Sequence, residues 1–382
     1  MILSRRAFAF GATAFSLAGC GHGTAPHSLG PGRSGPLPSD LLPVENVGYD
    51  AWVAAFQGRA ERLGISKQTL RDGFRGAGYL PGVVNRDRNQ TEFKRSLEDY
   101  LSIVVSEDRV TKGRAALTKE HKTLSAIEDQ YGVDATIVTA IWGLESFYGE
   151  RRGNVPVISA TSTLAYDGRR GAFFEKQLLA SLRILQNGDI AAGKMTGSWA
   201  GAMGHTQFIP TSYEAFAVDF TGDGQRDIWS DDPADALASA AAYLSRNGWK
   251  TGQRWGQETP PGTSAAGSIQ PQPGGPRFAV TGNFSVIKRY NNSDAYAIGV
   301  GHLADRIAGA GVLRTPFPPD ENGLTKDDRI ALQQGLTRRG FDTGGADGVI
   351  GPKTREAISA YQNSRGVPAT GTPSTALLRS LG

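Results

Sequence analysis

The residue whose type and neighbours most suggest chemistry is Glu145, near the end of the apolar run at residues 137–149. It lies one helical turn after Ile141 and Trp142. A carboxyl group beside an indole and a branched aliphatic side chain has a raised pKa, because burial disfavours the charged form. Such a group keeps its proton at neutral pH and can serve as a general acid, whereas an exposed glutamate at a helix end could not. Asp134 stands where it could cap the start of this helix.

A second segment, residues 198–213, mixes aromatic residues and glycines with single polar side chains such as Ser198 and Gln207. Glycines let a ligand approach the backbone closely, and aromatic rings cover the apolar faces of sugars. This composition is typical of a carbohydrate cleft. Ordinary glycosidases need two carboxylates, but neither segment offers a second one. Asp167, in a turn-like stretch, is the best substitute that the sequence provides.

A third segment, residues 219–229, carries acidic or polar side chains at alternate positions followed by glycine, which is the spacing of a calcium loop. Ser230 replaces the bidentate glutamate that usually ends such a loop. The ligands expected from the loop itself are Asp219, Thr221, Asp223 and the backbone of Gln225. The alternative is a structural turn that holds no metal.

Helical periodicity dominates the regions that must position these segments, as at residues 117–131 and 235–247. Residues 259–276 are rich in proline and glycine and are expected to form an exposed loop of low order. Two apolar runs, at residues 278–280 and 284–287, flank a Thr-Gly-Asn turn and predict a short β-hairpin. The expected fold class is therefore mainly α (α+β), a helical domain with a small β element.

A small unit of two amphipathic helices around an Asp/Gly-rich turn is predicted from Thr325 to the C-terminus, after a proline-rich stretch. Its pattern of Asp347-Gly348, Gly351-Pro-Lys-Thr354, Ala357-Ile358 and Tyr361-Gln362 resembles the peptidoglycan-binding domain 1 family over about 60 residues. The resemblance implies that this unit binds peptidoglycan. A helical module without a ligand is the alternative.

Glu145, residues 198–213 and the run Arg289-Tyr290-Asn291-Asn292-Ser293 together resemble the lytic transglycosylase B family, glycoside hydrolase family 103. The resemblance covers residues from about 49 to 311 and implies a lysozyme-like helical catalytic domain with Glu145 as its single acid/base. It also implies a set of substrate-binding residues: Ser198, Gln207, Tyr100, Arg169, Arg170, Tyr290, Asn291 and Tyr296.

The same resemblance assigns more detailed roles to some of these residues. The Arg169–Arg170 pair would meet a carboxylate of the stem peptide or the lactyl group. Asp235 would complete the metal site. His205 and Thr206 stand where the family more often has Tyr-Gly or Gln-Pro, so the resemblance does not extend to fine specificity.

The implied activity is cleavage of the β-1,4 bond from MurNAc to GlcNAc in peptidoglycan, with formation of 1,6-anhydro-MurNAc ends. No cofactor is required for this chemistry, and the calcium of the loop would be structural. Two other functions remain open from the residues. A hydrolytic muramidase would need a second carboxylate, and a non-catalytic peptidoglycan-binding lipoprotein would tolerate the loss of Glu145.

Composition and charge exclude several classes of protein. The chain has 382 residues, 39% of them hydrophobic and 20% charged, which fits neither a disordered chain nor a polytopic membrane protein. The formal net charge of +4 is too small and too dispersed to indicate nucleic-acid binding. Cys20 is the single cysteine, so the sequence excludes an internal disulfide.

The N-terminus has the features of an export signal. Arg5 and Arg6 resemble a twin-arginine motif, and Leu17-Ala18-Gly19-Cys20 resembles a lipobox, which predicts a lipid anchor on Cys20. Gly21, in place of the aspartate of an inner-membrane retention signal, favours the periplasmic face of the outer membrane. The expected organisation is a signal peptide (1–19), a lipid-anchored flexible linker (20–45), a catalytic domain (46–312), a hinge (313–324) and a peptidoglycan-binding domain (325–382).

Overall fold

The computed structural model describes residues 36–89, 96–260, 262–263 and 267–382. The predicted signal peptide, Cys20 and most of the predicted linker lie outside the described residues. None of the described helices is both long and apolar enough to cross a membrane.

The described residues form sixteen α-helices and two small antiparallel sheets, which confirms the mainly α fold class with a small β element. Thirteen helices precede residue 310: α1 (Val47–Arg62), α2 (Lys67–Gly73), α3 (Pro81–Arg88), α4 (Leu97–Val104), α5 (Glu107–Lys119), α6 (His121–Tyr131), α7 (Ala135–Ser146), α8 (Val157–Asp167), α9 (Gly171–Gln186), α10 (Pro210–Phe216), α11 (Ala234–Arg246), α12 (Gly282–Tyr290) and α13 (Asp294–Ile307). Three more follow: α14 (Lys326–Arg338), α15 (Pro352–Ser364) and α16 (Thr375–Ser380).

The two sheets join segments that lie beside the helices. Strands β1 (Val155–Pro156) and β2 (Thr196–Gly197) form one pair. Strands β3 (Gly256–Glu258), β4 (Ser268–Ile269) and β5 (Phe278–Val280) form the other sheet, in the order β3-β5-β4. The pairing of β1 with β2 holds the start of α8 beside the segment that contains Ser198.

The predicted hairpin is wrong in its second strand. β5 is a strand, but its partners are β3 and β4, and residues 284–287 belong to helix α12. The Thr281 hydroxyl accepts the backbone N–H of Asn283 and so caps this helix. A short apolar run does not by itself distinguish a buried helix face from a strand, and here tertiary packing decides.

Three smaller expectations also need correction. The predicted low-order loop at residues 259–276 contains β4, which pairs with β5. The helix predicted over residues 117–131 is interrupted at Glu120, where α5 gives way to α6. Asp134 occupies the N-cap of α7, but its side chain makes no capping bond, and the Glu128 carboxylate accepts the N–H of Ala135 instead.

The core that supports the candidate site is formed mainly by α7 and α13, whose apolar faces belong to the largest cluster of buried side chains. A second cluster contains Met203, Phe208 and Tyr213 from the segment predicted as a sugar cleft. These two clusters place the end of α7 beside that segment, because partly buried Tyr290 packs against both.

A separate small core, which includes Leu332, Leu336 and Ile358, holds α14, α15 and α16 together. The segment predicted as a hinge, residues 313–324, is attached to the preceding domain. The backbone N–H groups of Arg314 and Thr315 donate to the Glu258 carboxylate at 2.8 and 2.7 Å. The segment that leads to the C-terminal unit is therefore fastened to β3 of the catalytic domain.

Candidate active site

Glu145 lies in the last turn of α7 and faces α13. The Tyr296 hydroxyl donates a hydrogen bond of 2.6 Å to Oε1 of Glu145. Tyr296 is held in the first turn of α13, where its backbone N–H donates to the Ser293 hydroxyl that caps the helix. Burial raises the pKa of Glu145 to about 7, and the bond from Tyr296 offsets part of that rise. The carboxyl group is thus protonated at neutral pH in a substantial fraction of molecules, as the sequence predicted.

Three tyrosines lie near Glu145: Tyr100, Tyr290 and Tyr296. The rings of Tyr290 and Tyr296 are stacked, with centroids 6.4 Å apart and planes at 12°. Burial and the nearby Glu145 raise the pKa values of Tyr100 and Tyr290 well above the usual range, so both phenols stay neutral. The indole N–H of Trp142, expected beside the carboxyl, donates instead to Nδ1 of His205 at 3.0 Å.

The segment that contains Ser198 and Gln207 is a tightly bonded turn structure. The Ser198 hydroxyl accepts the N–H of Ala202 at 3.0 Å, and the Ser198 N–H donates to the Ala202 carbonyl. Gln207 has a φ of 51°, a left-handed conformation that is uncommon for a residue other than glycine. Its amide donates to the carbonyls of Arg152 and Gly204. Both predicted polar residues are therefore held in fixed orientations by the backbone.

Tyr290 connects this turn structure to Tyr296, on which its ring is stacked. Its hydroxyl donates to the Thr206 carbonyl at 2.7 Å, and its ring lies 5.8 Å from that of Phe208. Asn291 follows directly at the end of α12. The structure thus brings Glu145, Tyr296, Tyr290 and Tyr100 together, with the segment of Gln207 beside them.

The predicted arginine pair is bound to a buried carboxylate. Nε of Arg169 donates to Asp87 at 2.6 Å, and Arg170 pairs with the other oxygen of the same carboxylate. Asp87, on α3, has a side chain only 1% exposed. Burial alone would raise the pKa of Asp87, but the two arginines outweigh it and hold the pKa below its usual range. No contact between the pair and Glu145 is present among the described residues, although the ring of Phe174 under Arg170 shares a core cluster with Trp199.

The sequence did not indicate the positioning roles of Ser146 and Asp87. The Ser146 hydroxyl donates to the His205 carbonyl at 2.6 Å, which fastens the end of α7 to the turn structure. Burial lowers the pKa of His205 to about 4, so its ring is neutral and can accept the Trp142 N–H. Asp87 is the other omission, and nothing in its local sequence marks it, since its partners lie more than 80 residues away.

The acidic loop brings three predicted ligands together. Carboxylate oxygens of Asp219, Asp223 and Asp235 lie within 4.8 Å of one another. Asp235 accepts the backbone N–H groups of Phe220 and Thr221 on one oxygen, and that of Asp227 on the other.

Two further predicted ligands take part in the bonding of the loop itself. The Thr221 hydroxyl donates to Asp219, and the backbone N–H of Gln225 donates to Asp223. The loop is therefore pre-formed, and its oxygen donors are of the hard type that Ca²⁺ prefers.

The C-terminal unit is organised around a buried amide. Gln333, on α14, accepts the N–H of Gly348 and donates to the Val349 carbonyl and to Asp347. These contacts fix the Asp/Gly-rich turn that the sequence singled out.

Two family models match the chain. One, described as the transglycosylase SLT domain, matches residues 48–269 and 258–305. The other, which describes a peptidoglycan binding domain, matches residues 325–381.

Three proteins illustrate the range of similarity. The chain is 32% identical over 242 residues to membrane-bound lytic murein transglycosylase B of Escherichia coli (strain K12), a match that spans 55% of this chain and 66% of that protein. It is 43% identical to SltB3 from Pseudomonas aeruginosa, solved in complex with NAG-NAM-pentapeptide, with a TM-score of 0.69 over 88% of this chain and 100% of that chain. It is 27% identical to the Escherichia coli lytic transglycosylase Slt35 in complex with calcium, with a TM-score of 0.58 over 69% of this chain and 93% of that chain.

Proposed function

The chain belongs to the transglycosylase SLT domain family, and we propose that it cleaves the β-1,4 bond from MurNAc to GlcNAc in peptidoglycan and forms 1,6-anhydro-MurNAc ends. The single observation that carries the proposal is Glu145, a partly buried carboxyl group with a pKa raised to about 7 and a hydrogen bond from Tyr296. Its relatives are named as lytic transglycosylases, in agreement with this chemistry.

In the first step, Glu145 acts as general acid. Its proton passes to the glycosidic oxygen as the bond from that oxygen to C1 of MurNAc breaks, and the GlcNAc leaving group departs as an alcohol. The carbonyl oxygen of the N-acetyl group forms a bond to C1 and so takes the place of a carboxylate nucleophile. Tyr296 would then stabilise the new carboxylate of Glu145 through the O–H that it already donates.

In the second step, Glu145 acts as general base. It removes the proton of the MurNAc 6-hydroxyl while that oxygen attacks C1 and displaces the acetamido oxygen. The ring closes to the 1,6-anhydro sugar, and Glu145 recovers the proton it had lost. No water is consumed and no cofactor takes part.

A hydrolytic muramidase is the less favoured activity, because it needs a second carboxylate near the first. The hydrogen bond to Glu145 comes from a phenol, and burial is the main cause of its raised pKa. Asp167, the best substitute by sequence, is buried and paired with Arg88. A purely non-catalytic binding protein is also disfavoured, since it would have no use for a carboxyl group with so strongly raised a pKa.

The C-terminal unit supports binding to the same polymer, because residues 325–381 match a peptidoglycan binding domain. Peptidoglycan glycan strands are therefore the partner on which both parts of the chain would act. Peptidoglycan lies in the cell envelope, which is where the protein must work.

A finer location is part of the proposal and depends on residues outside the described part of the chain. Export through a signal peptide at residues 1–19 and a lipid on Cys20 would anchor the protein at the periplasmic face of the outer membrane. Metabolic labelling with a lipid analogue, compared between the native chain and Cys20→Ser, tests the lipid anchor.

The acidic loop is proposed to hold a structural calcium ion. Asp219, Asp223 and Asp235 would supply carboxylate oxygens, with Thr221 and the backbone of Gln225 as further donors. The ion would neutralise clustered negative charge and stabilise the loop that follows α10. It would not touch the sugar.

The test of the activity is an analysis of products in heavy-oxygen water. Sacculi digested by the mature protein should yield fragments that end in 1,6-anhydro-MurNAc, lighter by one water than reducing ends and without the heavy isotope. A muramidase would instead leave reducing ends that carry one heavy oxygen. Absence of any soluble fragment would contradict both catalytic functions.

A further inference from the structure

Arg329, on α14 of the C-terminal unit, is buried at the contact with the catalytic domain. Its side chain is only 3% exposed. Nη2 donates to the Glu98 carboxylate at 2.6 Å and to the Asp99 carboxylate at 3.2 Å. Glu98 and Asp99 both belong to α4, so this ion-pair cluster joins the two parts of the chain.

The remaining donors of Arg329 bind the C-terminal unit itself. Nε donates to the Gly348 carbonyl at 2.6 Å, within the Asp/Gly-rich turn. Nη1 donates to the Leu324 carbonyl and to the Asp320 carboxylate. One guanidinium group therefore connects α4, the segment between the domains and the turn of the C-terminal unit.

Helix α4 is also a wall of the candidate active site. Tyr100, the residue after Asp99, is close enough to Glu145 for the carboxylate to raise its pKa. The helix packs tightly on α13 at Gly299, where an added Cβ would lie 3.0 Å from both Tyr100 and Val104. Gly299 lies one turn after Tyr296, the hydrogen-bond donor to Glu145.

The contact of Glu98 with Arg329 and the contact of Tyr100 with Gly299 both lie on α4, a helix of only eight residues. A displacement of α4 at Glu98 must move Tyr100, because two residues in the same helical turn shift together. A shift of that kind would loosen the packing of Tyr100 beside Glu145 and could expose the carboxyl group to water.

We propose that Arg329 is a positioning residue for catalysis: by fixing α4 from the C-terminal unit, it keeps Tyr100 packed against the site of Glu145. This inference rests on the proposed function. It makes the C-terminal unit part of the catalytic structure as well as a module that binds peptidoglycan. A module tethered only for affinity would leave cleavage of short glycans unaffected by changes at Arg329.

The test uses the full-length mature protein and a soluble peptidoglycan tetrasaccharide as substrate. Arg329→Gln is compared with wild type and with Arg355→Gln, which changes an exposed arginine on α15 of the same unit. We expect kcat of Arg329→Gln to fall about tenfold or more, since small misplacements of cleft groups have large effects on rate. KM should change less than kcat. Arg355→Gln should behave as wild type.

A pH profile separates positioning from a general loss of folded protein. If water reaches Glu145 in Arg329→Gln, its pKa falls, and the alkaline limb of the kcat profile moves to lower pH. A lower concentration of folded enzyme would reduce kcat without moving that limb. Hydrogen exchange at the amides of α4 gives a readout that is independent of activity, and exchange should be faster in the variant.

A second variant covers the case in which Arg329→Gln fails to fold. Glu98→Gln leaves Arg329 paired with Asp99 and Asp320, so it should fold and show a smaller change in the same direction. The variant that combines Glu98→Gln with Arg329→Gln should have the same kcat as Arg329→Gln alone, because the two changes break the same ion pair.

The outcomes separate this inference from the proposed function. Wild-type kcat, an unmoved pH limb and unchanged exchange in α4 for both variants would overturn the role of Arg329. A wild-type protein that does not cleave the tetrasaccharide would overturn the proposed activity, and exchange in α4 would still decide whether Arg329 holds that helix.

Discussion

Two carboxyl groups of the catalytic domain lie largely out of contact with water, and yet their pKa values are shifted in opposite directions. Glu145 receives one hydrogen bond, from the neutral phenol of Tyr296, and its pKa is raised to about 7. Asp87 is more deeply buried, but Arg169 and Arg170 both bind it, and its pKa is held below the usual range. Burial favours the neutral form in both places. The difference shows that the charge of the partner decides whether a buried carboxyl can deliver a proton.

The largest effect is expected when the proton itself is removed. Glu145→Gln keeps the shape of the side chain but cannot donate a proton, so kcat should fall by about 10²–10⁴-fold. Turnover of a soluble glycan, together with circular dichroism of the folded variant, measures this loss. A folded variant that retains a tenth of wild-type activity would show that another group is the acid.

The same carboxyl group should make the stability of the protein depend on pH. The ordinary pKa of a glutamate is 4.5, and that of folded Glu145 is about 7. At pH values between these two, folded Glu145 binds a proton that the unfolded chain does not. Stability is therefore expected to fall as pH rises through this window, by up to about 3 kcal/mol. Urea denaturation of wild type and Glu145→Gln at both ends of the window measures it, since the glutamine does not titrate. Parallel pH dependence in the two proteins would contradict the raised pKa.

A smaller loss of stability is expected at the arginine pair. Asp87→Asn leaves two guanidinium groups without their shared counter-charge, and removal of one partner of a buried ion pair is destabilising. Because Arg169 and Arg170 remain partly exposed to water, we expect a loss of about 2 kcal/mol rather than the larger value for a fully buried pair. Urea denaturation measures it.

The matched control for that change is a surface carboxylate. Asp72→Asn breaks an exposed pair with Arg75 and should alter stability by less than about 0.5 kcal/mol. Equal losses of unfolding free energy in Asp87→Asn and Asp72→Asn would show that the burial of Asp87 does not strengthen its contribution to stability.

Tyr296→Phe would make the surroundings of Glu145 still less favourable to charge. The hydroxyl that donates to Oε1 lowers the pKa of Glu145, so its removal should raise that pKa above about 7. The alkaline limb of the kcat profile should then move to higher pH, while kcat falls about tenfold because the carboxylate formed in the first step loses a donor. A limb that moves to lower pH would indicate that the bond favours the neutral acid.

The smallest effect concerns the acidic loop, a third arrangement in which backbone N–H groups hold the carboxylates. If calcium binds the folded loop and not the unfolded chain, as proposed, millimolar calcium should raise the Tm by a few degrees. Asp223→Ala should abolish the rise. Asp231→Asn, which removes an exposed acid outside the proposed ligand set, should keep it. A wild-type Tm that does not respond to calcium would leave the loop as a structural turn.

Sequence reasoning succeeded where the relevant information is local. The apolar run around Glu145 predicted a helix and a carboxyl group with a raised pKa, and alternating acids predicted the loop that brings Asp219 and Asp223 together. It failed at residues 284–287, which form part of a helix and not a strand, because an apolar run of that length fits either element. It also placed the cap of α7 at Asp134, where Glu128 supplies the bond instead.

The segments with catalytic and metal-binding potential can be identified from the sequence, because helix periodicity, turn spacing and motif order involve residues that are close along the chain. The partners that those residues meet depend on how the helices pack. Tyr296 reaches Glu145 across 151 positions, Asp87 reaches Arg169 across 82, and Glu98 reaches Arg329 across 231. Such pairs form only when helices pack, and each carboxyl group takes its charge from the partner that packing supplies.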